Sequence, residues 1–324
     1  MSKAIRIWRI ARWILGIFAV LFFGFFYGFV PWFLTNIATT NRFHFHDPND
    51  GKTPQSFGMA YRDIAFTSTD GIPLKGWYVP ADASGGARAR GTIVYVHGQN
   101  RTRVEMLPDA TFGHQLGYDG LLFDLRHAGA SGGKVGTIGY QERHDVIAAV
   151  RYALEQEHAP RPIVVWGVSM GAAAALLAAA ESPDIQAVIS DSTFLSFTDT
   201  VHHHYYLFLR IVRRRWWWFP RLPAFPIVNE VIHWTTWRGH FDPADFDMQK
   251  AVERINPRPI LFVAVEGDPR MPPEIAWRLY SLSTSPQKAI AVLPGDRHGE
   301  GFKNATAQYE QAVRDFLARL PAQP

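Results

Sequence analysis

Alternating strand and helix patterns constrain the fold of this chain more than any other feature. Short apolar segments typical of strands occupy residues 61–67, 74–79, 92–96, 120–124, 163–166, 187–190, 260–265 and 289–293. Segments typical of helices follow most of them, at residues 104–116, 141–157, 170–181, 273–281 and 306–320. Apolar strands separated by helices are typical of a mostly parallel sheet with helices on both faces. The sequence therefore predicts an α/β fold.

This alternation is interrupted between residues 193 and 245, which we interpret as a helical cap inserted into a core of residues 61–192 and 246–324. The insertion combines Arg213, Arg214 and Arg215 with a cluster of aromatic residues, namely Tyr205, Tyr206, Phe208, Trp216, Trp217, Trp218, Phe219, Phe225, Trp234 and Trp237. Two interpretations stay open. The aromatic residues either pack the cap onto the sheet, or they form an apolar acyl pocket with a basic, aromatic face toward a bilayer. In the second interpretation the candidate substrate-binding residues are Tyr205, Trp217 and Trp218.

The N-terminal region has the pattern of a membrane anchor. A basic tail (residues 1–12) precedes an uncharged, apolar stretch (13–34) and a polar linker (35–60). At about 1.5 Å per residue this stretch spans a hydrocarbon core of roughly 30 Å. A cleaved signal peptide is the alternative, but its apolar stretch is usually only about 7–15 residues, and no good small-x-small cleavage site follows here. We therefore expect a retained transmembrane helix.

The distribution of charge predicts the orientation of this helix and argues against a nucleic-acid surface. The chain has a net charge of +4 and a pI of about 9.3. Four of its positive residues, Lys3, Arg6, Arg9 and Arg12, lie in the first twelve positions, so the remainder is close to neutral. The positive-inside rule then places the N-terminus in the cytoplasm and the catalytic domain on the exported side, periplasmic or luminal/extracellular.

No metal or cofactor is expected from the sequence. The chain has no cysteine, which excludes disulfide bonds, thiolate metal sites and a cysteine nucleophile. His202-His203-His204 is a run of histidines. Consecutive helix positions point about 100° apart, however, so three neighbours do not converge on one ion.

Two segments match the G-x-S-x-G pattern of a serine nucleophile, and their context separates them. Ser169 follows an apolar strand and begins a helix made almost wholly of alanine and leucine. This strand-turn-helix context is the one in which such a serine is exposed as a nucleophile. Ser131, in contrast, is followed by Lys134-Val135-Gly136, which is not a helix start. Ser169 is therefore the predicted nucleophile, and Ser131 is interpreted as a loop serine.

A set of motifs in a fixed order identifies a family resemblance that covers the chain from about residue 62 to its end. The set is His97-Gly98, Asp124-Leu125-Arg126 with a glycine-rich loop behind it, the Ser169 motif, Gly267-Asp268 and His298. In this respect the chain resembles the α/β-hydrolase superfamily. Within it, the chain is similar to membrane-anchored α/β-hydrolase-domain proteins with serine-esterase or acyl-thioesterase character. One departure is Arg126-His127-Ala128-Gly129, where many relatives have Arg-Gly-x-Gly.

The resemblance implies a catalytic triad in the chain order serine, acid, histidine. His298 is the expected base, because it alone of the histidines lies beyond the last strand. Asp268, directly after the strand at 260–265, is the expected acid, with Asp191 as the alternative. Backbone N–H groups are needed to stabilise the tetrahedral intermediate. We expect them from Met170 and from Gln99, with Asn100 as the alternative to Gln99.

Taken together, the sequence predicts a serine hydrolase that cleaves an acyl ester or thioester, with a lipid-like acyl substrate. Amide or peptide cleavage is the nearest enzymatic alternative. A non-catalytic, membrane-anchored binding module of the same fold is the alternative outside enzymology. Pseudoenzymes of that kind usually lack one or more triad residues, whereas all three are present here in order.

Overall fold

The structure, a computed structural model, describes residues 3–40, 46–82 and 88–320. Its centre is an eight-stranded sheet in the order β1-β2-β4-β3-β5-β6-β7-β8. The strands are β1 Arg62–Thr67, β2 Pro73–Val79, β3 Thr92–Val96, β4 Asp119–Asp124, β5 Ile163–Val168, β6 Ala187–Asp191, β7 Ile260–Val265 and β8 Ala289–Leu293. All eight lie where the sequence predicts strands, so the predicted α/β fold is confirmed.

Strand direction in this sheet determines where a site can form. Strands β1, β2 and β4 pair antiparallel at one side, and β4, β3, β5, β6, β7 and β8 pair in parallel. The carboxyl ends of the parallel strands therefore meet at one edge. In open α/β sheets ligands bind outside this edge, and the segments that follow β3, β5, β7 and β8 carry the predicted site residues.

Helices cover both faces of the sheet. They are α3 Leu107–Gln115, α4 Glu142–Glu155, α5 Met170–Glu181, α8 Met248–Ile255, α9 Pro273–Leu282, α10 Gly301–Asn304 and α11 Thr306–Ala318. Helix α5 buries ten consecutive residues, which explains why its sequence is almost wholly apolar. Helix α8 is not predicted from the sequence. Its apolar face is only Met248, Ala251, Val252 and Ile255, all buried, and it is too short for a strong periodic signal.

The N-terminal region forms one continuous helical rod. It consists of α1 Lys3–Phe23, a π-helical segment Gly24–Phe29 and α2 Val30–Thr39. Within it, Ile5–Thr39 is long and apolar enough to cross a membrane. Its most apolar 18-residue stretch has a mean hydropathy of 2.2, and none of that stretch is buried in the protein. The expected apolar membrane-type helix is therefore present, and it contains all of the stretch at residues 13–34.

The rod extends to Thr39, whereas the sequence predicts a linker at residues 35–60. The linker therefore begins later than predicted. Pro31, Thr35 and Thr39 are buried in α2, at the i, i+4 spacing of one helix face. That face packs against α7, Ile227–Gly239, in the cap. Because this contact joins residues about two hundred positions apart, the local sequence gives no sign of it.

The cap consists mainly of α6 Phe197–Arg215 and α7. Tyr205, Leu209, Ala224, Ile227 and Val228 form its own buried apolar cluster. Three residues of the rod, Phe26, Val30 and Leu34, pack against this cluster. The cap thus contacts the apolar N-terminal helix as well as the core of the protein.

Candidate active site

Ser169 lies on a sharp turn between β5 and α5. Its backbone has φ 55° and ψ −115°, a left-handed conformation that costs free energy for any residue with a side chain. A Cβ atom at Gly167 would collide with the backbone of Gly171, and one at Gly171 would collide with the carbonyl of Val96. The glycines of the motif are therefore required by close backbone packing. The backbone N–H of Ser169 donates to the carbonyl of Asp191 at 2.8 Å and helps to hold the turn.

The three residues of the predicted triad lie in one hydrogen-bonded row. His298 Nε2 is 2.8 Å from Ser169 Oγ. On the other side of the ring, His298 Nδ1 is 2.6 Å from Asp268 Oδ2. With a carboxylate at Nδ1, the ring proton resides there and Nε2 accepts the hydroxyl hydrogen of Ser169. This is the arrangement in which an imidazole removes a proton from a serine.

Asp268 is held in its ionised form by hydrogen bonds. Its side chain is fully buried, and burial alone would raise the pKa of the carboxyl. The hydrogen bond and charge of His298, with the backbone N–H groups of Arg270 and Met271 that donate to Oδ1, outweigh burial and lower the pKa below its usual value. The carboxylate is thus available to orient His298 throughout the neutral pH range.

Asp191, the alternative acid, has different partners. Its carboxylate accepts hydrogen bonds from the hydroxyls of Tyr309, at 2.9 Å, and Ser192, at 2.7 Å. Burial raises its pKa despite these bonds. Within the described residues, His298 makes no hydrogen bond to Asp191. The structure therefore brings Asp268, and not Asp191, to the histidine.

The loop at residues 97–100, which follows β3, lies directly beside the nucleophile. A Cβ atom built on Gly98 would be 3.7 Å from Ser169 Cβ. The His97 ring braces this loop, because Nε2 accepts the backbone N–H of Leu125 at 3.0 Å and Nδ1 lies 2.8 Å from the carbonyl of Gly98. The backbone N–H of Gln99 donates to no other group in the described part of the chain. The same holds for Met170, whose N–H is in the first turn of α5 and has no acceptor within the helix.

Glu105 is a residue of the site that the sequence analysis misses. Its Oε2 accepts the backbone N–H of Gly98 at 2.6 Å and so fixes the position of the 97–100 loop. Burial raises the pKa of this carboxyl to about 7, although the Gly98 N–H and the charge of Arg101 lower it. Glu105 belongs to a short 3₁₀ turn, Arg103–Met106, and no local pattern indicates that it faces the loop.

Ser131 does not resemble a nucleophile in its surroundings. Its hydroxyl donates to the carbonyl of Asp124 at 2.6 Å and accepts the backbone N–H of Lys75 at 2.9 Å. Both bonds are structural, and they tie the glycine-rich loop to β2 and β4. No histidine accepts a hydrogen bond from this hydroxyl among the described residues.

The three candidate substrate-binding residues of the cap differ in their surroundings. Tyr205 is buried inside the cap, and its hydroxyl donates to the carbonyl of Pro223 at 3.1 Å. Trp217 and Trp218 are 83% and 66% exposed on the outside of the cap. None of the three lines the small cavity beside Met170. That these residues form the wall of an acyl pocket therefore stays a prediction.

The cap nevertheless touches the triad region through its histidines. His203 Nε2 is 2.8 Å from the carbonyl of Pro269, directly after Asp268. His204 Nδ1 is 2.9 Å from the carbonyl of Thr200, one turn earlier in α6. Burial lowers the pKa of His204 to about 4. The two rings thus bind carbonyls at separate places, and only the bond of His203 joins α6 to the segment directly after Asp268.

Comparisons with known proteins agree with this fold. The family model described as "Serine aminopeptidase, S33" matches residues 87–224. Uncharacterized protein YfhR of Escherichia coli is 24% identical over 314 residues, covering 94% of this chain and 96% of its own. Protein bem46 of Schizosaccharomyces pombe is 26% identical over 269 residues, covering 82% and 79%. The structure of a Pyrococcus furiosus esterase superposes with a TM-score of 0.67 at 23% identity, covering 87% of this chain and 98% of that one.

A peptidase shares the same architecture. The Pyrococcus horikoshii acylaminoacyl peptidase superposes with a TM-score of 0.60 at 17% identity, over 82% of this chain and 42% of that one. The order of the strands and the superposed structures show that this chain has the α/β-hydrolase fold, and its residues 87–224 are similar to the serine aminopeptidase family. Over most of its length, the chain is similar to the YfhR and bem46 proteins.

Proposed function

We propose that this protein is a serine hydrolase that cleaves an acyl ester or thioester through a covalent acyl-enzyme. The observation that carries the proposal is the hydrogen-bonded row from Ser169 Oγ through His298 to the buried Asp268. A serine hydroxyl becomes a useful nucleophile only when a base accepts its proton. The row supplies that base, and the carboxylate stabilises the imidazolium that forms.

The proposed reaction runs in two halves. Ser169 Oγ attacks the substrate carbonyl while its proton passes to His298 Nε2, and the backbone N–H groups of Gln99 and Met170 stabilise the oxyanion. His298 then returns the proton to the leaving alcohol or thiol, and the acyl group stays on Ser169. Water, deprotonated by His298, attacks this acyl-enzyme and releases the acid and the free serine.

Amide or peptide bond cleavage is the second candidate. It is supported by the description of the matching family model as a serine aminopeptidase. The same residues would act, and the difference is that His298 must protonate a poorer amine leaving group. Measuring hydrolysis of an ester, a thioester and an anilide that share one acyl group ranks the three activities directly.

We further propose that the N-terminal helix is a retained membrane anchor, with the N-terminus in the cytoplasm and the catalytic domain exported. The basic residues before the apolar stretch support this orientation. Retention is supported by the buried Thr35 and Thr39, because a helix that is cleaved off has no reason to pack against α7.

The position of the cap along this helix supports a lipid-like acyl substrate. A hydrocarbon core of about 30 Å takes up roughly 20 helical residues, so a span that begins at Trp13 ends near Trp32. Phe26 and Val30, which pack against the cap, lie within that length. The cap then rests in the outer boundary of the bilayer. Exposed Trp217 and Trp218, with Arg213–Arg215 beside them, have the composition that favours this boundary.

Replacement of the nucleophile tests the enzymatic proposal. In Ser169→Ala, hydrolysis of a p-nitrophenyl ester should fall by about 10³ or more, since the covalent route is lost. Ser131→Ala is the matched control and should keep most of the activity, because its hydroxyl only ties a loop. Equal activity in the Ser169→Ala variant would instead favour a non-catalytic, hydrolase-like binding module.

A further inference from the structure

The C-terminal turn of the apolar N-terminal helix reaches the candidate active site itself. The side-chain amide of Gln99 donates to the carbonyl of Ala38 at 2.8 Å. The backbone N–H of Gly136 donates to the carbonyl of Thr39 at 2.9 Å. The last carbonyls of a helix accept no hydrogen bond from within the helix. Here the loops of the catalytic domain donate hydrogen bonds to two of them.

A side-chain contact fixes the same turn to the cap. Arg238 Nη1, in α7, donates to Asn36 Oδ1 at 2.9 Å. Together with the buried Thr35 and Thr39, this contact leaves the end of the helix little freedom to shift relative to α7. The helix end is thus held by the cap on one side and by Gln99 on the other.

A small cavity shows how near this helix end is to the expected oxyanion donors. Its lining includes Ala38, Thr39 and Thr40 from the helix end, Gln99 from the 97–100 loop, and Met170. The cavity measures about 30 Å³, room for roughly one water molecule. The helix end therefore lines the same small cavity as Gln99 and Met170, the residue that follows Ser169.

We propose that the C-terminal turn of the membrane helix is a positioning element for catalysis, and that it acts by orienting the backbone N–H of Gln99. This inference rests on the proposed function. Gly98 is already fixed by Glu105, but the chain turns sharply at Asn100, whose φ is 59°. Between these two points, the bond to Ala38 is the only side-chain hydrogen bond of Gln99 among the described residues. Without that bond the direction of the Gln99 N–H is less defined.

The size of the effect follows from what an oxyanion donor contributes. Loss of one donor typically lowers kcat by about 10²–10³. A donor that is present but badly oriented still gives part of the stabilisation of the transition state. Undocking of the helix end should therefore lower kcat by roughly 10- to 100-fold. KM for a short soluble ester should stay nearly constant, because the interaction is made mainly in the transition state.

The experiment uses the full-length protein in detergent and a short p-nitrophenyl ester. Gln99→Met removes the side-chain amide but keeps the backbone N–H. Asn36→Leu, Arg238→Met and the double variant loosen the helix end from the cap. Arg161→Met is the matched control, because it removes an ion pair of similar length, to Asp184, that is exposed on the protein surface. For each variant, kcat, KM and the melting temperature are measured.

The expected result is a fall in kcat for Gln99→Met and for both helix-end variants, with KM and melting temperature close to those of the wild type and Arg161→Met unaffected. The double variant should be no worse than the singles, since both remove the same contact. Wild-type kcat in Asn36→Leu and Arg238→Met, or a fall that follows the melting temperature, would overturn the inference. An inactive wild type with every ester would instead overturn the proposed function.

Discussion

Two buried aspartates stand at the carboxyl ends of the neighbouring strands β6 and β7, and their hydrogen-bond partners give them different roles. Asp268 accepts from His298 and from two backbone N–H groups, which lower its pKa. Asp191 accepts from Tyr309 and Ser192, and burial raises its pKa. An ionised carboxylate at the imidazole ring orients and stabilises an imidazolium, and of the two aspartates only Asp268 is hydrogen-bonded to His298 among the described residues.

This difference predicts the ranking of two conservative substitutions. Asp268→Asn should lower kcat by about 10⁴, the loss known for a triad carboxylate replaced by an amide that stabilises the wrong histidine tautomer. Asp191→Asn should cost far less in kcat and should appear mainly as a lower melting temperature. Steady-state kinetics on the two purified variants make the comparison. The opposite ranking of kcat would move the catalytic acid to Asp191.

Glu105 predicts a pH dependence of stability. Burial raises the pKa of its carboxyl from 4.5 to about 7, so the folded protein keeps a proton that the unfolded chain releases. The free energy of unfolding should therefore fall as pH rises from about 4.5 to about 7 and be flat above that range. Its side chain is 22% exposed, so we expect a modest loss, on the order of 1 kcal/mol.

Glu105→Gln provides the comparison, because its side-chain carbonyl still accepts the Gly98 N–H but does not titrate. Thermal or urea unfolding of both proteins between pH 5 and pH 8 measures the difference. The wild type should lose stability relative to the variant as pH rises across this interval. A constant difference between the two curves would show that Glu105 has an ordinary pKa.

At the scale of elements, local sequence determines those parts of the fold that have a strong pattern of their own. The bounds of β3, β7, β8 and α5 match the predicted ranges, because each has a continuous apolar or alanine-rich run. Helix α8 has only eight residues, and its pattern is too short to recognise. The docking of α2 on α7 depends on a partner far along the chain, so the helix extends further than its local sequence predicts.

The exposed aromatic surface of the cap predicts how fast an ester in a bilayer is hydrolysed. Burying a large apolar side chain contributes roughly 1.5–3 kcal/mol, so loss of two exposed tryptophans that insert partly into the bilayer should cost at least about 10-fold in kcat/KM there. The double variant Trp217→Ala/Trp218→Ala should show this loss for a palmitoyl ester presented in anionic vesicles. A soluble butyryl ester should be hydrolysed as by the wild type.

Trp277→Ala is the matched control for this comparison, since Trp277 is also exposed, at 51%, but lies in α9 outside the cap. It should leave both activities unchanged. If the cap variant hydrolyses the vesicle-presented ester as well as the wild type does, the exposed aromatic residues have no part in reaching a lipid substrate. That interpretation of the cap would then be withdrawn.

At the scale of the whole molecule, the apolar helix, the cap and the α/β core are packed against one another. The helix contacts the cap through Phe26, Val30 and Leu34, and its end contacts the 97–100 loop through Ala38. A soluble fragment that lacks this helix would expose a face of α7 and lose the bond to Gln99. Activity measurements on the full-length protein therefore describe the enzyme better than those on a truncated one.

The candidate site shows the same division between local and long-range information. Ser169, Asp268 and His298 could be predicted because each follows its own strand and has a recognisable neighbourhood. Glu105 and Ala38 could not, because their contacts with Gly98 and Gln99 arise only when separate parts of the chain pack together. The cap residues Trp217 and Trp218 were expected near the substrate from composition alone, and composition does not determine which way a ring faces.

The central claim is that Ser169 is an activated nucleophile, and covalent labelling tests it most directly. The full-length protein is treated with a fluorophosphonate probe, digested, and analysed by mass spectrometry to locate the adduct. We predict a single adduct on the peptide that contains Ser169, with none in Ser169→Ala and strongly slowed labelling in Asp268→Asn. An adduct on Ser131 or another residue, or none under conditions that label a known serine hydrolase, would contradict the account.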